Sequence, residues 1–85
     1  MNEEQAITRV INVLTDHNLR QTKDYIFKHI SHGCFNIALC PHRYALLDVG
    51  YFYDHIPDIK VFKIQQKKEY VHILIKIKIR GDNCD

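Results

Sequence analysis

Residues 32–42 read His-Gly-Cys-Phe-Asn-Ile-Ala-Leu-Cys-Pro-His. Two cysteines and two histidines so close together are the residue types that hold zinc. Zinc requires its sulfurs to meet: with Zn–S near ~2.3 Å, two tetrahedral thiolates lie about 4 Å apart. If 34–40 is one strand, Cys34 and Cys40 are roughly 20 Å apart, at ~3.3 Å per residue, and cannot share an ion. A loop that joined them would leave Phe35, Ile37 and Leu39 with nowhere to be buried. The paired Cys-x-x-Cys of common zinc folds is missing. A looser metal set is His29, His32 and Cys34, because histidines three apart share a face if 22–32 is helical. The stronger expectation is that Cys34 and Cys40 bracket a buried strand, with no metal and no cofactor.

Catalysis has little support. Asp16-His17 and Asp54-His55 are neighbours in sequence, but adjacency does not aim one side chain at the other. Acid–base or nucleophilic work needs groups converging in a cleft that excludes water. There is no Gly-rich phosphate loop, no Gly-x-Ser-x-Gly and no His-Glu-x-x-His. We therefore expect a protein that is not an enzyme.

The charges are unevenly placed. Net charge is +2 at pH 7 over 85 residues. Residues 1–58 carry five Lys/Arg against seven Asp/Glu, whereas 59–80 carry seven against one. Lys63, Lys67, Lys68, Lys76, Lys78 and Arg80 would make a basic element able to neutralise phosphates, with Tyr70 or His72 stacking on bases. The competing reading is protection of an isoleucine-rich strand from aggregation by flanking lysines.

These residues need elements to position them. Ile7, Val10, Ile11 and Leu14 recur at helical spacing, which predicts a helix over 3–17, with Asn18 as a left-handed cap and Leu19 folding back on it. Thr22 as N-cap and Gly33 as the stop predict a second helix over 22–32, although Tyr25-Ile26-Phe27 favours strand. A hairpin is expected over 34–49, turning at Cys40-Pro41-His42-Arg43. An aromatic linker follows over 50–58, then a basic hairpin over 59–80 and a tail over 81–85.

In the last strand Val71, Ile73, Ile75, Ile77 and Ile79 alternate with Tyr70, His72, Leu74, Lys76 and Lys78. If Lys67-Lys68 is the turn, Ile64 faces Val71 and Phe62 faces Ile73 on the core side. Val61 then meets Leu74, and Lys63 meets His72, on the other.

The expected architecture is α+β: one or two N-terminal helices on a small antiparallel sheet of two β-hairpins, about four strands, in a single domain. Two short helices cover one sheet face, so apolar surface should remain on the other. Tyr51, Phe52, Tyr53, Ile59, Val61 and Leu74 are the candidate contacts for a protein partner or a second copy of the chain. The aromatic trio could equally pack over the domain's own core. Met-Asn-Glu-Glu-Gln at the start has no basic flank or apolar stretch, and no apolar run approaches the ~20 residues of a membrane span. We expect a cytoplasmic protein in a reducing compartment, with no membrane partner. The bias toward Ile and Lys is common in AT-rich genomes, phages and mobile elements among them. The function this suggests is a small regulator, an inhibitor or modulator, that binds a protein; the alternative is a nucleic-acid-binding module.

Overall fold

Asn2 starts the first helix, α1 (Glu3–Asp16), in a computed structural model that describes residues 1–79. Arg80 and the 81–85 tail lie outside the described residues. The Asn2 side chain accepts from Gln5 N (2.8 Å) and Gln5 Oε1 accepts from Asn2 N (2.9 Å), a reciprocal capping box. Ala6, Val10, Val13 and Leu14 form the buried stripe. The helix ends as its sequence indicates: Asn18 has φ +62°, Leu19 N donates to Leu14 O, and Leu19 is buried.

The segment expected as a second helix is strand β1 (Ile26–Ser31), paired antiparallel with β2 (Cys34–Leu39) through the turn at His32-Gly33. Thr22 is no helix cap: it sits at φ +68°, where a β-branched residue cannot enter a helix. Asp24 holds this bend, accepting from Arg20 N (2.8 Å) and pairing with Arg43 Nε (3.2 Å). Gly33 stops no helix either. It turns the hairpin at φ +74°, and a Cβ there would lie 2.7 Å from Ile77 O.

The expected hairpin over 34–49 is half correct. Strand β2 forms, but Pro41 opens a short helix, α2 (Pro41–Tyr44), in place of a β-turn and a returning strand. Proline suits the first helical position, where its missing N–H has no partner to lose. The expected linker is helix α3 (Gly50–His55). Strands β3 (Ile59–Lys67) and β4 (Tyr70–Ile77) form the second hairpin.

The fold is α+β, with an antiparallel sheet in the order β1-β2-β4-β3. The two hairpins are 26–39 and 59–77, joined edge to edge through β2 and β4. The hairpin turn is at Lys68-Glu69, so Lys67 pairs with Tyr70, Gln66 with Val71 and Ile64 with Ile73. The register shifts between Val61 and Lys63, leaving Phe62 as the extra residue of a bulge. The bulge inverts the alternation. Ile59 and Val61, expected to point outward, share the covered face with Ile64, and Phe62 is displaced from it.

The core lies between that face and the helices. Phe35, Ile37 and Leu39 of β2 and Ile73, Ile75 and Ile77 of β4 pack with Val10, Leu14, Phe52 and Ile56. Each such side chain contributes roughly 1.5–3 kcal/mol by leaving water. No helix among the described residues is long and apolar enough to cross a membrane.

Candidate functional site

Alternation on each strand leaves a second face with no helix over it. Ile26, Ala38, His72 and Gln65 lie side by side across the four strands. Lys28, Asn36, Leu74 and Lys63 form the next row, and Cys34, Lys76 and Lys60 the one after. The four strands contain no Asp or Glu; apart from histidine, Lys28, Lys60, Lys63, Lys67 and Lys76 are their only charged residues. All five sit on this face. The carboxylates of Glu3, Glu4, Asp16, Asp24, Asp48, Asp54 and Asp58 belong to the helices and connections, and that of Glu69 to the β3–β4 turn, where it lines a pocket with Asp24, Ile26, Ala38 and Tyr70 at one end of this face.

The sheet tolerates an adverse contact here. Lys60 and Lys76 are direct cross-strand partners, and like charges so placed repel. Near the centre is a depression of about 370 Å³ floored by Asn36, His72 and Leu74. The Asn36 side-chain nitrogen lies 3.1 Å from His72 Nδ1. Asn36 Oδ1 is buried and has no hydrogen-bond partner among the described residues, a deficit of roughly 1–3 kcal/mol.

The basic residues expected at the site separate into groups. Lys63, Lys67 and Lys76 share the uncovered face. Lys68 is in the hairpin turn at φ +58°. Lys78 lies past the end of β4, beside Met1, Gln5 and Arg9. Arg80 lies outside the described residues. Lys28, Lys60, Asn36 and Gln65 join the face without having been singled out. Lys28 was hidden by the helical reading of 22–32, and Lys60 by the bulge of β3; Gln65 falls on this face in either register but carries no charge to mark it. Asn36 was legible as the one polar residue in the alternation of β2.

The expected protein contacts are mostly committed inside the domain. Phe52 and Ile59 are buried, because α3 is a helix facing the core and the bulge turns Ile59 inward. Val61 is half-buried on the covered side. Tyr51 donates to Asp16 Oδ2 (3.0 Å), stacks on His55 at 3.7 Å and meets His17 edge-on at 4.8 Å. The Asp16 hydrogen bond raises its pKa, since losing the proton would set two anions together. Tyr53 Oη accepts from Val61 N (3.0 Å), closing one backbone donor on the β3 edge. Leu74 alone of the six lies on the uncovered face.

The histidine pairs do not form acid–base dyads. His17 Nδ1 lies 2.8 Å from Val13 O and His55 Nδ1 3.0 Å from Tyr51 O, so each ring is tied to its own helix backbone. His29 Nε2 (2.9 Å) and His32 Nδ1 (3.4 Å) converge on Glu3 Oε2, which also accepts from Gly33 N (2.8 Å). The Gly33 hydrogen bond is the main reason the Glu3 pKa is lowered. Burial opposes it, and the two imidazoles add to it. Cys34 is on the opposite sheet face from His29, so the suggested trio does not assemble. Among the described residues, no group of three His, Cys, Asp or Glu is placed to hold a metal ion. Cys40 Sγ lies 3.6 Å from His42 Nε2, beyond the other end of β2 from Cys34.

Comparison with protein-family models, curated proteins and solved structures gives no match.

Proposed function

We propose that the protein is a non-enzymatic binding module that holds nucleic acid against the uncovered face of its sheet. One observation carries this reading: the strand residues of that face include five lysines and no carboxylate, Asp24 and Glu69 standing only at its end. Edge protection accounts for Lys28, Lys60, Lys63 and Lys67, which lie on outer strands. It does not account for Lys76, which lies on inner strand β4 with neighbours on both sides. Solubility alone would be met with less repulsion by alternating Lys and Glu across the strands. A surface of one sign, backed by an acidic helical layer, suits a polyanion and would orient it during approach.

Measuring affinity for oligonucleotides against salt concentration tests the proposal. Each phosphate neutralised contributes about 0.7–0.9 to the slope of log K against log salt. Replacing Lys28, Lys63 and Lys76 together by alanine should weaken binding and flatten that slope by roughly 2–3. An unchanged slope would exclude the face.

A second reading, a regulator that binds a protein or its own copy, draws on a different observation. Ile26 and Ile30 on the free edge strand β1 are 54% and 52% exposed, and an apolar edge invites strand addition. Recovery of the tagged protein from its native cell, with and without nuclease, distinguishes a nucleic-acid partner from a directly bound protein.

A further inference from the structure

We infer that the strand bound on this face is single-stranded, with one base seated in the depression over Asn36, His72 and Leu74. This inference rests on the nucleic-acid reading above and narrows it.

The width of the cationic surface argues against a duplex groove. Lys28 and Lys63 occupy the two outer strands of a single row. Three interstrand steps of ~4.8 Å separate them, about 14 Å. The major groove of a duplex is about 12 Å wide and admits a helix or a two-stranded ribbon. A four-stranded sheet charged out to both edges cannot enter it. Laid against the outside of a duplex, the sheet would meet phosphates only, and the polar groups of its floor would have nothing to bind.

A single strand uses both parts of the surface. Its backbone can cross the sheet between lysines while an unstacked base turns into the depression. A base presents an apolar face and a hydrogen-bonding edge. Leu74 is half-buried on the floor and offers apolar contact. The imidazole of His72 offers a stacking surface in the depression, and the phenol of Tyr70, two residues away on β4 and outside it, offers one to a neighbouring base. Gln65, exposed on β3, offers an amide edge, and Asn36, whose Oδ1 is unpaired but buried, offers a second once the side chains over it shift. Lys28 and Lys67 line the same depression and stand where the phosphates flanking the base would pass. The polar groups are thus at the centre and the cations around them, as base recognition between phosphate contacts requires.

The test titrates the full chain with a short labelled oligonucleotide of mixed sequence, as single-stranded DNA, as single-stranded RNA and as the DNA duplex. Single strands should bind about tenfold more tightly than the duplex. Asn36→Ala and Gln65→Ala should each weaken single-strand binding up to about tenfold, a lost hydrogen bond's worth. Neither should alter the salt slope, since neither removes a charge. Gln65 is exposed on the edge strand β3, so its variant keeps the test valid if Asn36→Ala fails to fold by circular dichroism. Duplex binding equal to or tighter than single-strand binding overturns the inference and leaves backbone binding standing. Unchanged affinity in folded Gln65→Ala and Asn36→Ala overturns the base seat. Displacement by poly-glutamate as readily as by unlabelled oligonucleotide reduces the face to charge alone and also overturns it. No binding to any nucleic acid defeats the proposed function itself.

Discussion

The two faces of the sheet are written on the same strands, one residue apart, and they obey opposite rules. On β2, Phe35, Ile37 and Leu39 are fully buried, while of the alternating Cys34, Asn36 and Ala38 the first two are only partly buried. On β4, Ile73, Ile75 and Ile77 are buried, while His72, Leu74 and Lys76 alternate with them. The covered face is apolar through its middle, where α1 and α3 seal it, and carries His29, Ile64 and Gln66 exposed on its outer strands. The other face mixes cations, amides, an imidazole and a few aliphatic groups, and contains a repelling lysine pair and an unsatisfied amide. Packing explains the buried centre of the first face but not the least favourable features of the second. The proposed binding role would account for features that lower stability and lie together on one face.

Neighbouring residues give the largest contrast. Phe35→Ala should lower unfolding free energy by about 3–5 kcal/mol, because it empties a site fully enclosed by the core. Asn36→Ala, one position along, should change it by roughly 1 kcal/mol or less, the His72 hydrogen bond being offset by removal of an unsatisfied oxygen. Urea unfolding of both variants checks this. Equal losses would mean that the second face is also sealed, by a partner copy, and the comparison would fail.

The next largest effect belongs to the β1–β2 turn, which both faces depend on. Gly33→Ala combines a left-handed backbone with a Cβ placed 2.7 Å from Ile77 O. We expect a loss of more than about 1 kcal/mol, read from the urea midpoint. The same turn ties to α1 through Glu3, whose lowered pKa has a definite consequence for pH. The carboxylate's contribution is fully present above the ordinary glutamate range and is lost as pH falls through the lowered folded value. Glu3→Gln should therefore lower stability at neutral pH and remove that part of the acid-side dependence. Thermal midpoints followed from neutral pH downward should converge for the two proteins. Parallel curves would mean that Glu3 contributes nothing through its charge.

The unequal legibility of the elements has physical causes. Helix α1 was readable because its stripe, its left-handed Asn18 and its hydrophobic closure at Leu19 agree with one another. Strand β4 was readable because isoleucines alternate through it without a break. Strand β1 was not, because His32-Gly33 suits either a helix stop or a tight hairpin, and only pairing with β2 decides. The 44–49 segment reads as apolar strand, yet Pro41 at a first helical position sends the chain into α2. The β3 register required a bulge. Its trace in the sequence is the change of parity between Ile59 and Val61 on one side and Ile64 on the other, which no unbroken strand can place on one face. Of the site, Lys63, Lys67 and Lys76 were legible from charge and alternation. Lys28 and Lys60 were obscured by these same two misreadings, helix for β1 and an unbulged β3.

The smallest expected effect is the most informative about why the second face exists. Lys76 lies directly opposite Lys60 on the neighbouring strand. Lys76→Glu converts a repelling pair into an attracting one, each worth about 0.2–1 kcal/mol at such positions. Stability should rise by about that amount, and the gain should shrink as salt screens the charges. Nucleic-acid affinity should fall further than in Lys76→Ala, since the change removes one cation and adds an anion. Lys76→Ala also controls for the lysine's aliphatic stem, which can pack along neighbouring side chains independently of its charge. A variant that is more stable yet binds less would show the two faces under different constraints, one set by folding and the other by the ligand. A Lys76→Glu protein that is less stable by more than about 1 kcal/mol would mean that Lys76 contributes to packing, and the distinction between the faces would narrow to a difference of degree.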